Sequence, residues 1–385
     1  MRAVVCHQAE SHRRGPARPD ARAGAGSSSR SSGAGSAGPT CTPARTATRP
    51  PPTSPVLGYD HFMRSTDHVV MGHEFVGTVL DHGAGTSRKA FPAGSRVVSL
   101  PVLRSGESVH LTGLSEQAPG GYAEQVLVTA SMTMRVPDEL DADAAALTEP
   151  MAVALHAVRR GQVGARDVAV VIGCGPIGLA VIAMLKATGV RHVIASDFSP
   201  GRRALAEQMG ADVVVDPATD SPWASFAESK RYLTEAIALA EPGSRRHGQS
   251  LRAVPMLPWA HVMRAAEKVG ATPRGPIVFE CVGVPGMIEH VVANAPLLTR
   301  VVVVGVCMGQ DSFRPSMAIN KEIDLRFAFA YDPSEFHQTL QWIAAGKVDV
   351  RPLITGTVGL DGVAGAFADL ADPERHAKIL VDPTR

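Results

Sequence analysis

The run Val168-Ala-Val-Val-Ile-Gly-Cys-Gly-Pro-Ile-Gly-Leu179 constrains the fold of this chain more than any other stretch. It begins as an apolar, β-branched segment of strand length, breaks at Gly173, and resumes with helical periodicity from Pro176 to Lys186. Gly173, Gly175 and Gly178 fall in G-x-G-x-x-G spacing. In a strand–turn–helix unit the first glycine permits a tight turn and the second lets the backbone approach a pyrophosphate. The third lets the helix pack closely, and the helix start, here Pro176 and Ile177, faces the phosphates. A second strand, Arg191 to Ser196, ends at Asp197, and 197 − 178 = 19 residues is the spacing of an acid that binds adenosine ribose hydroxyls. The competing reading is a membrane span, since Val168 to Leu185 carries no charge. Three glycines and a proline at its centre, with no second span elsewhere, argue for a dinucleotide-binding unit instead.

At 385 residues the chain is long enough for two domains, and 45% hydrophobic with 19% charged residues is a globular composition. A net charge of +1 offers no field for nucleic acid or an anionic membrane, so neither is expected as a partner. The five cysteines, Cys6, Cys41, Cys174, Cys281 and Cys307, are scattered and odd in number, which is no disulfide framework. With no apolar leader after Arg2, the expected location is the cytoplasm.

Taken in order, Met1 to Ala9 reads as a strand, and residues 11–55 then hold no Val, Ile, Leu, Met, Phe, Tyr or Trp. They carry seven arginines and one acid, Asp20, and with nothing to bury they are expected as irregular chain. Val69 to Leu80, Ser95 to Leu100 and Gly121 to Val128 are expected strands of a β-rich first domain. Thr148 to Arg160 is an expected helix, with Pro150 in its first turn and Gly161 as its stop. After Asp216 comes an insert, 217–276, with amphipathic patterns at Trp223 to Ala240 and Trp259 to Val269, expected on the surface. Strands resume at Ile277 to Val282 and Arg300 to Gly305, and the chain closes on Lys378-Ile-Leu-Val381.

Several short pieces occur in one order: Gly72-His73-Glu74, Gly120-Gly-Tyr-Ala-Glu124, Thr148-Glu-Pro150, the glycine triplet, Phe279-Glu-Cys-Val-Gly283, Asn320-Lys-Glu322 and Lys378 to Val381. Together they resemble the zinc-dependent medium-chain alcohol dehydrogenases, in the style of the sorbitol and threonine dehydrogenase branch. The resemblance covers Met1 to Ala9 and nearly everything after Val56 except the insert. It implies an α/β fold: a Rossmann domain, 153–309, set into a GroES-like, β-rich catalytic domain built from both chain ends, 1–152 and 310–385. It also implies His73, Glu74 and Glu149 as the available ligands of one catalytic zinc. Glu74 and Glu149 then exchange between direct ligation and contact through water, and both count as catalytic. Taken singly, each favours the plainer reading, His73 as a hydrogen-bonded histidine and Glu149 as a helix-start acid, and the ordered set of motifs reverses that. The implied assembly is a homo-oligomer, dimer or tetramer.

Two departures from the family pattern matter. The loop from Leu100 to Ala118 has no cysteine, so no structural zinc is expected there. The Cys-Gly-x-Cys-Gly-Ser-Asp segment that supplies a thiolate ligand in the resembling enzymes is also missing, at the place of the apolar-free stretch. Reading the third base of each codon with the first two of the next, Gly33 to Thr42 permits Cys-Gly-Ile-Cys-Gly-Ser-Asp-Leu-His. Ser29 to Ser32 permits Glu-Val-Leu-Gly ahead of it. Residues 11–55 therefore read as an out-of-frame translation, with the frame restored near Val56; the alternative is a low-complexity linker.

The function expected is NAD-linked, zinc-assisted hydride transfer from a secondary alcohol, polyol or amino-alcohol, with the corresponding carbonyl as product. Asp197 favours NAD because a carboxylate repels a 2′-phosphate; Arg202 and Arg203 weaken that preference slightly, since either could swing toward a phosphate. The alternatives are a zinc-free quinone or enone reductase of the same fold, and a catalytically impaired dinucleotide-binding protein.

Overall fold

The computed structural model describes residues 3–7, 10–14, 25–32, 57, 61–64, 66–228, 232–235, 261, 264–265 and 274–385. The first part of the chain supplies β1 (Ala3–His7), β2 (Glu10–Arg14), β3 (Ala25–Ser32), β4 (Val69–Val70) and β5 (Phe75–Val79). It continues with β6 (Arg96–Ser99), β7 (Val102–Ser105), β8 (Ser108–Leu111), β9 (Val126–Val128) and β10 (Thr133–Arg135), then helices α1 (Ala142–Ala146) and α2 (Thr148–Gly161). The middle alternates β11 (Val168–Ile172), α3 (Pro176–Ala187), β12 (His192–Ser196), α4 (Pro200–Gln208), β13 (Val213–Val215) and α5 (Ala224–Glu228). It resumes with β14 (Ile277–Glu280), α6 (Met287–Asn294), β15 (Arg300–Val303), α7 (Pro315–Asn320) and β16 (Asp324–Phe327). The last part holds α8 (Pro333–Ala344), β17 (Ile354–Val358), α9 (Val363–Leu370) and β18 (Lys378–Val381).

The middle segment is a six-stranded sheet in the order β13-β12-β11-β14-β15-β16, parallel throughout. Fully apolar runs such as Val170-Val-Ile172 and Val301-Val-Val303 suit strands covered on both faces. The strand order reverses between β11 and β14, and the crevice outside their carboxyl ends is where such sheets bind ligands. Gly173 and Cys281 stand at those ends, directly after the two strands. The sheet continues past residue 309, the expected domain end, to Phe327. Short strands after Met308 do not reveal in sequence which sheet they join, and β16 joins this one.

The insert is corrected at its start. Phe226 is 2% exposed and Tyr232 9%, and with Trp223 they pack against Val170, Ile194 and Val278 of the parallel sheet. One apolar face of that sheet needs a cover, and these aromatics supply part of it. The segment that begins the insert is therefore core. The remainder of 217–276, including most of both amphipathic patterns, lies outside the described residues.

Both chain ends build the second domain, whose main sheet runs β10-β6-β5-β3-β18-β17, with β9 also paired to β3. Residues 11–55 were expected as irregular chain, and the structure departs from that at two places. The β2 backbone pairs with β1, and β3 pairs antiparallel with β5, β9 and β18. A ladder needs only backbone N–H and C=O groups, which the serines of β3 carry as well as any valine does. Residues 15–24 and 33–55, including the Gly33 to Thr42 stretch, lie outside the described residues. The loop after Leu100 forms the β7–β8 hairpin. Among the described residues no helix is long and apolar enough to cross a membrane.

Candidate active site

Val69 to Leu80 was expected as one strand, but it is split, and the split places the first two site residues. Gly72 adopts φ +96°, a conformation that L side chains rarely tolerate. A Cβ there would meet the Tyr122 amide nitrogen at 2.9 Å. Backbone bonds from Gly121 N to Gly72 O (2.7 Å) and from Tyr122 N to Met71 O (2.9 Å) lock the turn. His73 and Glu74 follow between β4 and β5. Glu149 enters from the first turn of α2, whose start is held by the Thr148 hydroxyl donating to Ala145 O at 2.7 Å. One ligand atom from each of His73, Glu74 and Glu149 lies within 4.8 Å of the others. The structure thus brings together the three expected metal-ligating residues.

The electrostatics of this cluster are those of a cation site. Glu74 is 3% and Glu149 7% exposed. Burial, then the Glu74 charge, push the Glu149 carboxyl up to about 8, with Lys378 and Tyr331 pulling the other way. Burial holds the His73 imidazole below its ordinary range, with Glu74 opposing and Lys378 adding to the effect. A neutral imidazole is the form that ligates a metal. A tetrahedral zinc with arms of about 2.0–2.2 Å separates its donors by roughly 3.5 Å, so small rotations would close this set. Two buried carboxylates beside a neutral histidine fit a divalent cation.

Two residues at the site carried no assignment in sequence. Lys378, the first residue of β18, is fully buried, and its Nζ lies 2.5 Å from Glu74 Oε2. Removing either partner of a buried ion pair costs about 3–5 kcal/mol. The signal was available: a lysine opening an apolar, buried strand needs a counter-charge. Tyr331 follows β16, and its hydroxyl is enclosed beside Glu149 without the alignment of a formed hydrogen bond. Burial, then Glu149, raise that phenol well above its usual range. Its neighbour Ala330 has φ +55°, a strained left-handed turn that nothing in the residue type announces.

A pH prediction follows from Glu149. Its folded pKa is raised above the unfolded 4.5, so the stability it contributes is complete below about 4.5 and is lost as pH rises through about 8. In a chelator-treated sample, the melting temperature is expected to fall between pH 5 and 8. Glu149→Gln should flatten that fall, a difference on the order of a few kcal/mol at the alkaline end. Identical pH profiles for parent and variant would refute the assignment.

The nucleotide turn assembles at the other strand ends. Gly173 takes φ +89°, and a Cβ there would meet the Val282 side chain at 2.7 Å. Helix α3 begins at Pro176 and Ile177 with Gly175 as its cap, leaving first-turn amides without intrahelical partners. Asp197 sits across this turn: Oδ2 accepts from Cys174 N at 2.7 Å and Oδ1 from Ser199 N at 2.8 Å. Arg202 approaches Asp197 Oδ2 at 4.0 Å, and its Nε is enclosed without a hydrogen-bond partner. The expected cofactor residues Gly173, Gly175, Pro176, Ile177, Gly178, Asp197 and Arg202 all lie along this turn or at the start of α4.

Comparison with known proteins places the fold and the family. A family model described as an alcohol dehydrogenase GroES-like domain matches residues 53–138, and one described as a zinc-binding dehydrogenase matches 176–240. The (R,R)-butanediol dehydrogenase of Bacillus subtilis (strain 168) is 30% identical over 328 residues, covering 83% of this chain and 82% of the relative. The sorbitol dehydrogenase of Arabidopsis thaliana is 26% identical over 337 residues, with 83% and 82% covered. The crystal structure of 2R,3R-butanediol dehydrogenase from Bacillus subtilis superposes with a TM-score of 0.70 at 27% identity, covering 99% of each chain. This chain belongs to the zinc-dependent medium-chain alcohol dehydrogenase family. It is an oxidoreductase acting on the CH–OH group, in a family that pairs zinc with a nicotinamide cofactor.

Proposed function

We propose that this chain is built to oxidise a secondary alcohol, polyol or amino-alcohol with NAD. The observation that carries the reading is the buried convergence of His73, Glu74 and Glu149, three donors within 4.8 Å of one another. These residues would hold a single zinc ion, which supplies Lewis acidity toward the substrate oxygen when bound. The alcohol loses its hydroxyl proton and passes the C–H hydrogen with its electron pair to the nicotinamide, leaving a carbonyl. Glu149, kept ionised by a cation held in the cluster, would be suited to take that proton when it stands off the metal. The glycine turn and the α3 amides take the pyrophosphate, and Asp197 takes the adenosine ribose.

The relatives named as butanediol and sorbitol dehydrogenases support a vicinal diol or polyol as substrate. A zinc-free reductase of the same fold would have no use for two carboxylates buried around a histidine, which disfavours that alternative. The impaired-enzyme reading keeps its support from residues 11–55, whose translated frame supplies no thiolate pair. Zinc prefers sets rich in sulfur and nitrogen, so the chain as written should hold it weakly. A homo-oligomer is supported by the open edge strand β16, beside which Phe327, Phe329 and Ile319 are 60%, 70% and 73% exposed. Three cysteines without disulfide partners, Cys174, Cys281 and Cys307, are consistent with the cytoplasm.

The test is nucleotide choice followed by substrate choice. Fluorescence titration should show NADH bound more tightly than NADPH, and Asp197→Ser should weaken NADH roughly tenfold or more while relieving the exclusion of NADPH. A parent chain that prefers NADPH would assign Arg202 and its unpartnered Nε to a 2′-phosphate and overturn the NAD reading. A screen of diols and polyols with the preferred nucleotide then identifies the substrate.

A further inference from the structure

The ammonium of Lys378 is fully enclosed, yet its described contact is one carboxylate oxygen, Glu74 Oε2 at 2.5 Å, with no aligned hydrogen bond. An ammonium has three donors, and leaving two unmet in a protein interior is costly. The Tyr331 hydroxyl is in the same condition beside Glu149. Its ring is fixed by stacking on Phe336, with centroids 5.5 Å apart. The turn carrying it is pinned by the strained Ala330 on one side and on the other by the Asp332–Glu335 capping box of α8. So each acidic member of the cluster faces its own polar group from the C-terminal part of the chain.

We infer that Lys378 and Tyr331 are positioning residues that hold the Glu74 and Glu149 carboxylates in a metal-free arrangement, which an entering divalent cation must displace. The inference rests on reading His73, Glu74 and Glu149 as the ligands. A cation among those donors competes with the Lys378 ammonium for Glu74 and is repelled by it at close range, where little water intervenes. Tyr331 competes for Glu149 only as a neutral hydroxyl beside it, so its hold is the weaker of the two. A site of this kind trades metal affinity for the freedom of a carboxylate to leave the metal and return.

The experiment measures zinc affinity of the full chain by competition with a chromophoric chelator, beside melting temperature in excess chelator. Lys378→Met should lower the metal-free melting temperature, tighten zinc about tenfold or more, and enlarge the melting shift produced by zinc. Lys378→Arg, which keeps the charge, should behave as the parent. Tyr331→Phe should tighten zinc a few-fold. If Lys378→Met does not fold, Lys378→Gln takes its place in the same measurement. Unchanged or weaker zinc affinity in both the Lys378 and Tyr331 variants, whatever happens to melting, overturns the inference and leaves these residues purely structural. His73→Ala separates the two levels of the reading. If zinc binds the parent and His73→Ala equally, or binds neither the parent nor the Lys378 variants, the ligand assignment falls and the inference with it.

Discussion

Restoring the displaced frame between Glu10 and Val56 is expected to convert a chain that turns alcohols over poorly into one at least about a thousandfold better in kcat/KM. Lewis-acid stabilisation at a metal is worth several kcal/mol, and each 1.36 kcal/mol is a factor of ten. Besides the Cys-Gly-Ile-Cys-Gly-Ser-Asp reading, the structure adds a second reason. Strand β3 lies between β5 and β18, at the middle of its sheet, yet its sequence is Ala-Gly-Ser-Ser-Ser-Arg-Ser-Ser. Where a serine is written TCN, the displaced codon ends in TC and specifies Phe, Leu, Ile or Val. The five serines of β3 thus become apolar, strand-forming residues in the frame that also yields the thiolates. The restored protein should purify with stoichiometric zinc by metal analysis. Full activity and stoichiometric zinc in the chain as written would defeat the proposal. So would source DNA whose adjacent frame lacks the motif.

Gly178→Ala is expected to abolish measurable nucleotide binding, a loss of at least about a hundredfold, and to lower the melting temperature. An ideal Cβ at Gly178 would stand 1.8 Å from the Gly173 carbonyl oxygen and 2.9 Å from its carbon. No rotamer change relieves that overlap, because the obstacle is backbone. The turn must open, and opening it moves the Cys174 amide that holds Asp197. Gly175→Ala is the informative comparison, since its Cβ would meet nothing within 4 Å in the protein alone. That variant should fold as the parent does and lose only nucleotide affinity, because the space belongs to the pyrophosphate. Equal nucleotide affinity in the parent and Gly178→Ala, read by NADH fluorescence, would refute the placement.

The Rossmann half was legible because its information is local. Strand, glycine turn, helix and acid lie in one short run, and the strand order follows from connectivity rules. The His73–Glu74–Glu149 cluster was legible only through the order of short motifs, since Glu149 reaches His73 by folding over a long stretch of chain. Lys378 and Tyr331 stayed silent because a buried lysine and a buried tyrosine announce their partners only in three dimensions. Gly161 was read as the helix stop, yet the left-handed residue is Gln162, φ 47°. Gly161 is kept helical instead, with the Phe279 ring 2.9 Å from where a Cβ would stand. The aromatics opening the insert were misread because an amphipathic pattern does not say which sheet face lacks a cover.

The pairing of β3 with β18 also sets a schedule for biosynthesis. Ser31 lies opposite Val381, so 381 − 31 = 350 residues separate the partners. At about 5–20 residues per second, a ribosome needs roughly 20–70 s to make that interval. Until it ends, the nascent β3 lacks the neighbour that β18 supplies at Ser31 and Ser32, while the parallel sheet draws all six of its strands from within the interval. The nucleotide-binding half can therefore complete before release, and the other half waits for the last strand. Chaperone dependence should track that waiting edge, whose stickiness is set by which reading frame wrote it.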